Sequence, residues 1–452
     1  MDDLMPRAGQ PVVFRNATVV TMDAGHSVLT NADAAITDGR IEQLGQQVRT
    51  SDDAFEIDAT NAIVMPGMID THRHMWQTVM RGYGADWTLS QYFVWYYLEH
   101  GNKFRPQDVG IGNALSAADA IECGITTSVD WSHGLRTVEH AEAAWDALSS
   151  GPGRYVLAYG NIFDGPWNWT RDPGVQAFLK QHAAGSGNVG LQLAFDVTGD
   201  PEFPERAAFE AARELGLKIT THAGVWGATD DNGIRLMYDN GFMTPGTTYV
   251  HAATLSEDSY QRIAATGGHV SLSTESEESC GQGYPPSWAL RLWGIPCSLS
   301  VDTSVWFSAD LFAAMRATLG ADRAWEHTHA HETGETITHA KLRVETVVDW
   351  ATRGGAECLG LDDQIGSLEV GKRADVIMLK NESSPTMFPI INPSARSSCR
   401  PTVRTWTRCS STAQSASGKG NWSAPTWQRC GLGSTRRWPI SRPRSATPGK
   451  PA

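Results

Sequence analysis

Hydrophobic and polar positions divide the 452-residue chain into unlike stretches. From Pro11 to Val64, runs such as VVFRNATVV, DAAITDGRIEQLG and FEIDATNAIVMPG are rich in β-branched residues and broken by Asp-Gly and Asn turns, which predicts a small all-β unit. A second run of this kind, GSLEVGKRADVIMLK, lies far downstream at 366–380. Between them, strand-like runs alternate with Ala/Leu/Glu-rich stretches of helical spacing, for example PERAAFEAARELG and DLFAAMRATLGADRAWEH. Strands are predicted at 67–74, 124–133, 154–163, 189–197, 217–224, 247–253, 268–276 and 295–304. Eight strands, each followed by a helical stretch, call for an α/β fold with a parallel sheet closed into a (β/α)8 TIM-type barrel, for which about 250 residues suffice.

Composition narrows the class. Hydrophobic content of 41% and charged content of 19% suit an ordinary globular protein. No run reaches the roughly 18 apolar residues of a membrane helix. The N-terminus MDDLMPRAGQ lacks the basic and apolar regions of a secretory signal, so a cytoplasmic location is expected. Cys123, Cys280, Cys297 and Cys358 have no Cys-x-x-Cys spacing, which argues against a disulfide framework and a zinc ribbon. The net charge of −13 hides two parts. Residues 394–452 hold eleven of the 37 basic residues and no acid, which leaves 26 basic against 50 acidic residues, or −24, in the body. Such an acidic body excludes a nucleic-acid partner; a small-molecule substrate and no membrane partner are expected.

The chemistry is concentrated in VMPGMIDTHRHMWQ, Val64 to Gln77. On an extended strand His72 and His74 share one face while Arg73 takes the other, and two neutral imidazoles suit a divalent transition ion. Further polar residues fall where a barrel places its active site, at the C-terminal strand ends: His222 on the fifth strand, His251 on the sixth and Asp302 on the eighth.

The Met-Pro-Gly-Met-Ile-Asp-Thr-His-Arg-His run, with His222, His251 and Asp302 in this order, resembles the amidohydrolase superfamily over roughly residues 12–393, and within it the cytosine-deaminase-like and triazine-hydrolase-like branch. The resemblance implies a barrel at 67–361 flanked by a small β-sandwich built from both chain ends, residues 1–66 and 362–393. It implies one metal ion held by His72, His74, His222 and Asp302, zinc first, with iron, manganese or cobalt as alternatives. A binuclear site would need a lysine at the end of the fourth strand, and VGLQLAFDV has none. Asp302 would also move the proton, and His251 would orient the water or polarise the scissile group. Large barrel hydrolases of this kind are often dimers or higher, so a homo-oligomer is an expectation.

The chain departs from the branch at two places. Its deaminases carry Glu three residues after the fifth-strand histidine, where this chain has Val225. A positioned general acid is worth about 10²–10⁴ in rate. At the seventh strand Ser273-Thr-Glu275-Ser-Glu277 replaces His-Cys-Pro-x-Ser-Asn, and Glu275 is the candidate replacement acid. The expected activity is therefore metal-dependent hydrolysis of a non-peptide C–N bond of amide, urea or carbamate type. The alternatives are a deaminase or dechlorinase of an N-heterocycle, and a metal-binding but inactive product. Trp76, Gln77 and His133 are the expected substrate contacts, with aromatic walls suited to a flat, neutral molecule.

After Pro393 the apolar periodicity stops, which reads as a basic disordered tail or as a shifted reading frame. Taking the third base of each codon with the first two of the next, Thr405 through Ser415 can be re-read as VDTVLVNGAV, an amphipathic strand with an Asn-Gly turn. The coding DNA decides: synonymous choices that forbid this reading eliminate the frameshift.

Overall fold

The computed structural model describes residues 6–7, 9–163, 168–379, 390–399, 405–408 and 428–429, so most of the basic tail lies outside the described residues. Five strands open the chain: β1 (Val12–Val20), β2 (Val28–Thr37), β3 (Arg40–Gly45), β4 (Phe55–Asp58) and β5 (Ile63–Pro66). Eight more form a second sheet: β6 (Met68–Arg73), β7 (Ile125–Ser132), β8 (Arg154–Tyr159), β9 (Val189–Ala194), β10 (Ile219–Ala223), β11 (Thr247–His251), β12 (His269–Leu272) and β13 (Cys297–Leu299). After them come β14 (Val376–Leu379), β15 (Thr405–Arg408) and β16 (Gln428–Arg429).

β6 to β13 are neighbours in sequence order and pair in parallel throughout, with helices between them. The sheet closes into the expected (β/α)8 barrel where Asp302, just past β13, bridges Arg73 of β6 in parallel. Each predicted strand contains the observed one. Where predictions run long, the excess is the polar strand end or, at 274–276, the first turn of a helix, Thr274–Cys280. Inside the barrel, hydroxyls bond across strands: Thr71 Oγ1 lies 2.7 Å from Ser271 Oγ and 2.7 Å from Ser298 Oγ, and Ser273 and Ser300 pair at 2.7 Å. Buried hydroxyls that pair with one another lower the desolvation cost of a polar interior.

The small β domain draws on both chain ends. Its sheet runs β16-β15-β14-β5-β1-β2-β3, with β4 beside β1. Val12, Phe14, Val19, Ile36, Val64, Val376 and Met378 build its core, separate from the barrel's. Gly67 N–H donates to Asp375 O at 2.8 Å, tying β14 to the start of β6. No helix among the described residues is long and apolar enough to cross a membrane.

Helix Pro106–Glu122 packs against the 3-10 turn Met75–Met80 that follows His74, and contact is closest at Gly112. A Cβ there would stand 2.3 Å from Trp76 O, which is backbone and cannot rotate away. Gly112→Ala should therefore cost about 1–3 kcal/mol through overpacking. Urea unfolding of the variant checks this, and an unchanged midpoint would contradict the close packing.

Candidate active site

The end of β6 turns His72 and His74 inward, while Arg73 reaches Ser116 and Asp119 of the adjoining helix. A register irregularity between Asp70 and Arg73 lies in this stretch, a common device for re-aiming side chains next to a site. His222 arrives at the end of β10, His251 at the end of β11, and Asp302 beyond β13. The structure brings all five together. The ring centroids of His72 lie 4.8 Å from His74, 5.0 Å from His222 and 5.5 Å from His251.

Asp302 Oδ1 is 3.3 Å from His72 Nε2 and 3.2 Å from His74 Nε2. Donors held about 2.0–2.2 Å from one tetrahedral ion stand about 3.3 Å apart, so this spacing fits a shared metal. The tautomers fit as well. His74 Nδ1 must donate to the carbonyl of Trp131, at 2.8 Å, and His222 Nδ1 donates to Asp196 Oδ1, at 2.8 Å. Each ring is left with a bare Nε2, the usual arrangement for an imidazole ligand fixed by an outer partner. His251 Nε2 is buried without a hydrogen-bond partner, and the donor atoms of His72, His222 and His251 all lie within 4.8 Å of one another.

Burial sets the charges. It pushes the His72 and His133 imidazoles well below their ordinary pKa, so both are neutral. Burial also works against ionised Asp302, but its contacts with His72 and His74 outweigh this and hold the carboxyl well below the usual range. His251 and Asp302 have φ of 71° and 61°, left-handed values that non-glycine residues rarely adopt. Gly224 has φ of +67°, and a Cβ there would stand 2.7 Å from the Ala252 carbonyl carbon, so the loop after His222 can pass beside His251 only as glycine.

Glu275 is not at the cluster. It sits on the helix Thr274–Cys280 beside Asp310 and Arg316, where burial and then Asp310 raise its carboxyl to about 7. Two residues on, Glu277 is fully buried; its Oε1 accepts Ser273 N–H at 2.7 Å and lies 3.3 Å from His251 Nδ1. Residues two apart on a helix face different sides, so a strand reading of 268–276 could not choose between the glutamates. Ser276, between them, donates to Asp302 Oδ2.

A cavity of about 260 Å³ opens above the cluster, with His74, His222 and Asp302 at its floor. Tyr92, Phe93, Tyr97, Trp226 and Trp306 form its aromatic wall, and Asp196, Asp230 and Gln282 add polar groups. The three expected substrate contacts stand one layer behind. Gln77 is spent on Tyr92 Oη at 2.6 Å and Thr303 Oγ1 at 2.9 Å. Trp76 is fully buried against Tyr96, Phe104 and His133, and His133 packs behind Tyr97 with centroids 5.3 Å apart. The turn after His74 carries Trp76 and Gln77 away from the cavity, while Tyr92 and Tyr97 come from the QYFVWYYLEH run, part of which winds as a π-helix, Val94–His100. Glu277 belongs to the run 273–277, whose two glutamates are the sequence's candidates for the missing acid, with Glu275 preferred there. Asp196 and Asp230 are not among the candidates, and the strand-end position of Asp196, in AFDV, is the signal that marks it.

The amidohydrolase family model matches residues 63–405. The 5′-deoxyadenosine deaminase of Methanosarcina barkeri is 26% identical over 387 residues, covering 81% of this chain and 84% of that protein. The 5-methylthioadenosine/S-adenosylhomocysteine deaminase of Nitratidesulfovibrio vulgaris is 27% identical over 407 residues, covering 85% and 86%. Among solved structures, a triazine hydrolase from Arthrobacter aurescens superposes with a TM-score of 0.74 at 19% identity, covering 86% of this chain and 90% of that one. A zinc-bound adenosine deaminase from Xanthomonas campestris does so at 0.72 and 20%, covering 89% and 92%. With a family match over most of its length and a cluster of imidazoles and one carboxylate at the mouth of the barrel, the chain belongs to the amidohydrolase family and is a metal-dependent hydrolase of carbon–nitrogen bonds other than peptide bonds.

Proposed function

We propose that this hydrolase acts at the sp² carbon of a small flat molecule, using one ion, zinc first, held by His72, His74, His222 and Asp302. The observation that carries the ligand set is the 3.2–3.3 Å spacing of Asp302 Oδ1 from two imidazole Nε2 atoms at the floor of an aromatic cavity. When bound there, a divalent ion would supply Lewis acidity, lowering the pKa of a hydrolytic water toward about 7. Asp302 would accept a proton from the attacking water and return it to the leaving nitrogen. Its Oδ2, bonded to Ser276, is held in one orientation.

His251 is the second proton-handling group. Glu277 Oε1 holds its Nδ1, which leaves Nε2 facing the cluster, a base with an orienting carboxylate behind it. This pair lies at the cluster, whereas Glu275 lies beside Asp310 and Arg316, so the pair is better placed than Glu275 to handle a proton there. Without a carboxylate at 225, carbonyl C–N bonds such as amides, ureas and carbamates suit the site better than adenine-like rings. Deamination of an N-heterocycle is the second reading, supported by the deaminase relatives.

Three outcomes test this proposal. His222→Ala should lose tight metal binding and release of ammonia or amine across a substrate panel, measured by metal analysis with an amine-release assay; full activity would remove His222 from the ligand set. Glu277→Gln should lower kcat by about 10²-fold or more while Glu275→Gln stays near wild type; the reverse order would restore Glu275 as the acid. Asp196→Ala frees the His222 ring and should weaken metal affinity or activity about 10–100-fold, read by chelator competition.

A further inference from the structure

The cavity wall carries a carboxylate that neither the ligand set nor the proton-handling groups use. Asp230 Oδ2 accepts two backbone N–H groups, from Val225 at 2.6 Å and Trp226 at 3.0 Å, so the loop after β10 pins the carboxyl against the cavity. Its other oxygen makes no hydrogen bond among the described residues. The second wall carboxylate, Asp196, is already engaged by His222 Nδ1. None of the described residues lining the cavity is Lys or Arg. Burial raises the Asp230 carboxyl above its ordinary range and the charge of Asp196 adds to this, while no Lys or Arg among the described lining residues offsets either group. Phe93, Tyr97 and Trp226 line the same cavity, and aromatic rings also favour a cation or an N–H edge.

We propose that Asp230 is the substrate-reading carboxylate of this pocket, which takes a flat substrate whose non-reacting edge carries a protonated or N–H-rich nitrogen, as in an amidine. The inference rests on the hydrolase site described above and adds the class of molecule it admits. Val225 leaves the wall beside Asp230 apolar, so the edge nitrogen meets one fixed acceptor. An anionic substrate meets two carboxylates on that wall and, among the described lining residues, no Lys or Arg.

The test uses zinc-loaded full-length protein and two isosteric probes, benzamidine, which is cationic, and benzamide, which is neutral. Calorimetry should give benzamidine at least about 10-fold tighter binding, the size expected for a charge-assisted hydrogen bond. In Asp230→Asn the amide oxygen can still accept from Val225 and Trp226, so the loop keeps its anchor, and the preference should fall to about unity with benzamide affinity and zinc content unchanged. Asp230→Glu, which keeps the charge, should retain part of the preference. A wild-type ratio near or below one, or a ratio unchanged in Asp230→Asn, overturns the assignment. Zinc content and amine release are measured in the same samples. A protein that hydrolyses its substrate without the benzamidine preference overturns only the role of Asp230, whereas an Asp230-dependent preference in a zinc-loaded protein that hydrolyses nothing overturns the hydrolytic reading instead.

Discussion

Between the first and last barrel strands, Asp302 N–H donates to His72 O at 3.0 Å and Asp302 O accepts from His74 N–H at 2.7 Å. The same three residues whose side chains converge on the cluster thus close the barrel with their backbones. Asp70 reinforces the seam, its Oδ1 accepting from His72 N and Val301 N. Fold closure and site geometry are one constraint here. A change that slips β6 against β13 would move two imidazoles and a carboxylate together, because side-chain direction follows strand register. The left-handed backbone at Asp302 fits this picture, since strain of about 1–3 kcal/mol persists only where surrounding structure fixes it from several sides.

Buried carboxylates at this end of the barrel differ in their partners. Asp70 pairs with Arg73 at 3.3 Å, yet burial still lifts it to about 6. Asp130, likewise lifted by burial to about 6, is held by Asn113 at 2.9 Å and Met75 N–H at 3.0 Å. Asp302 alone is driven well down, although its partners are imidazoles and, among the described residues, no Lys or Arg reaches it. An ionised carboxylate buried without a permanent cation is costly. Neutral imidazoles cannot supply the missing charge and a divalent ion can, so the balance of buried charge leads to the same donors as their spacing.

Much of this was legible because it depends on local pattern. Strand-to-helix periodicity located every barrel strand, and the His-x-His spacing with strand-end polar residues located the cluster, since parallel barrels place their strand ends on one face. What was not legible depended on phase and depth. Helix phase decides between Glu275 and Glu277, and the helix Thr274–Cys280 begins inside the predicted strand 268–276. The turn after His74 decided that Trp76 and Gln77 face inward rather than toward the cavity, and no nearest-neighbour pattern encodes that. Asp230 is invisible in sequence because its value lies in two backbone N–H groups from a loop five residues upstream.

The second sheet poses a separate physical question. β14 reads VIML with every residue buried, and β5 covers only one of its edges. Left bare, the other edge would expose unpaired backbone groups beside an apolar core, a template for association. The chain supplies β15, antiparallel, with Leu379 opposite Thr405 and Val376 opposite Arg408. The need for a strand at this point belongs to β14, whichever frame encodes the tail. The literal TWTR and the shifted VDTV both offer β-forming residues there, so the reading frame governs how firmly that edge is held. The donors proposed for the metal all fall between His72 and Asp302, on the other sheet. Edge stability and chemistry are therefore set by different parts of the chain, and a weakened edge lowers the fraction of folded protein without altering the distances among the donors.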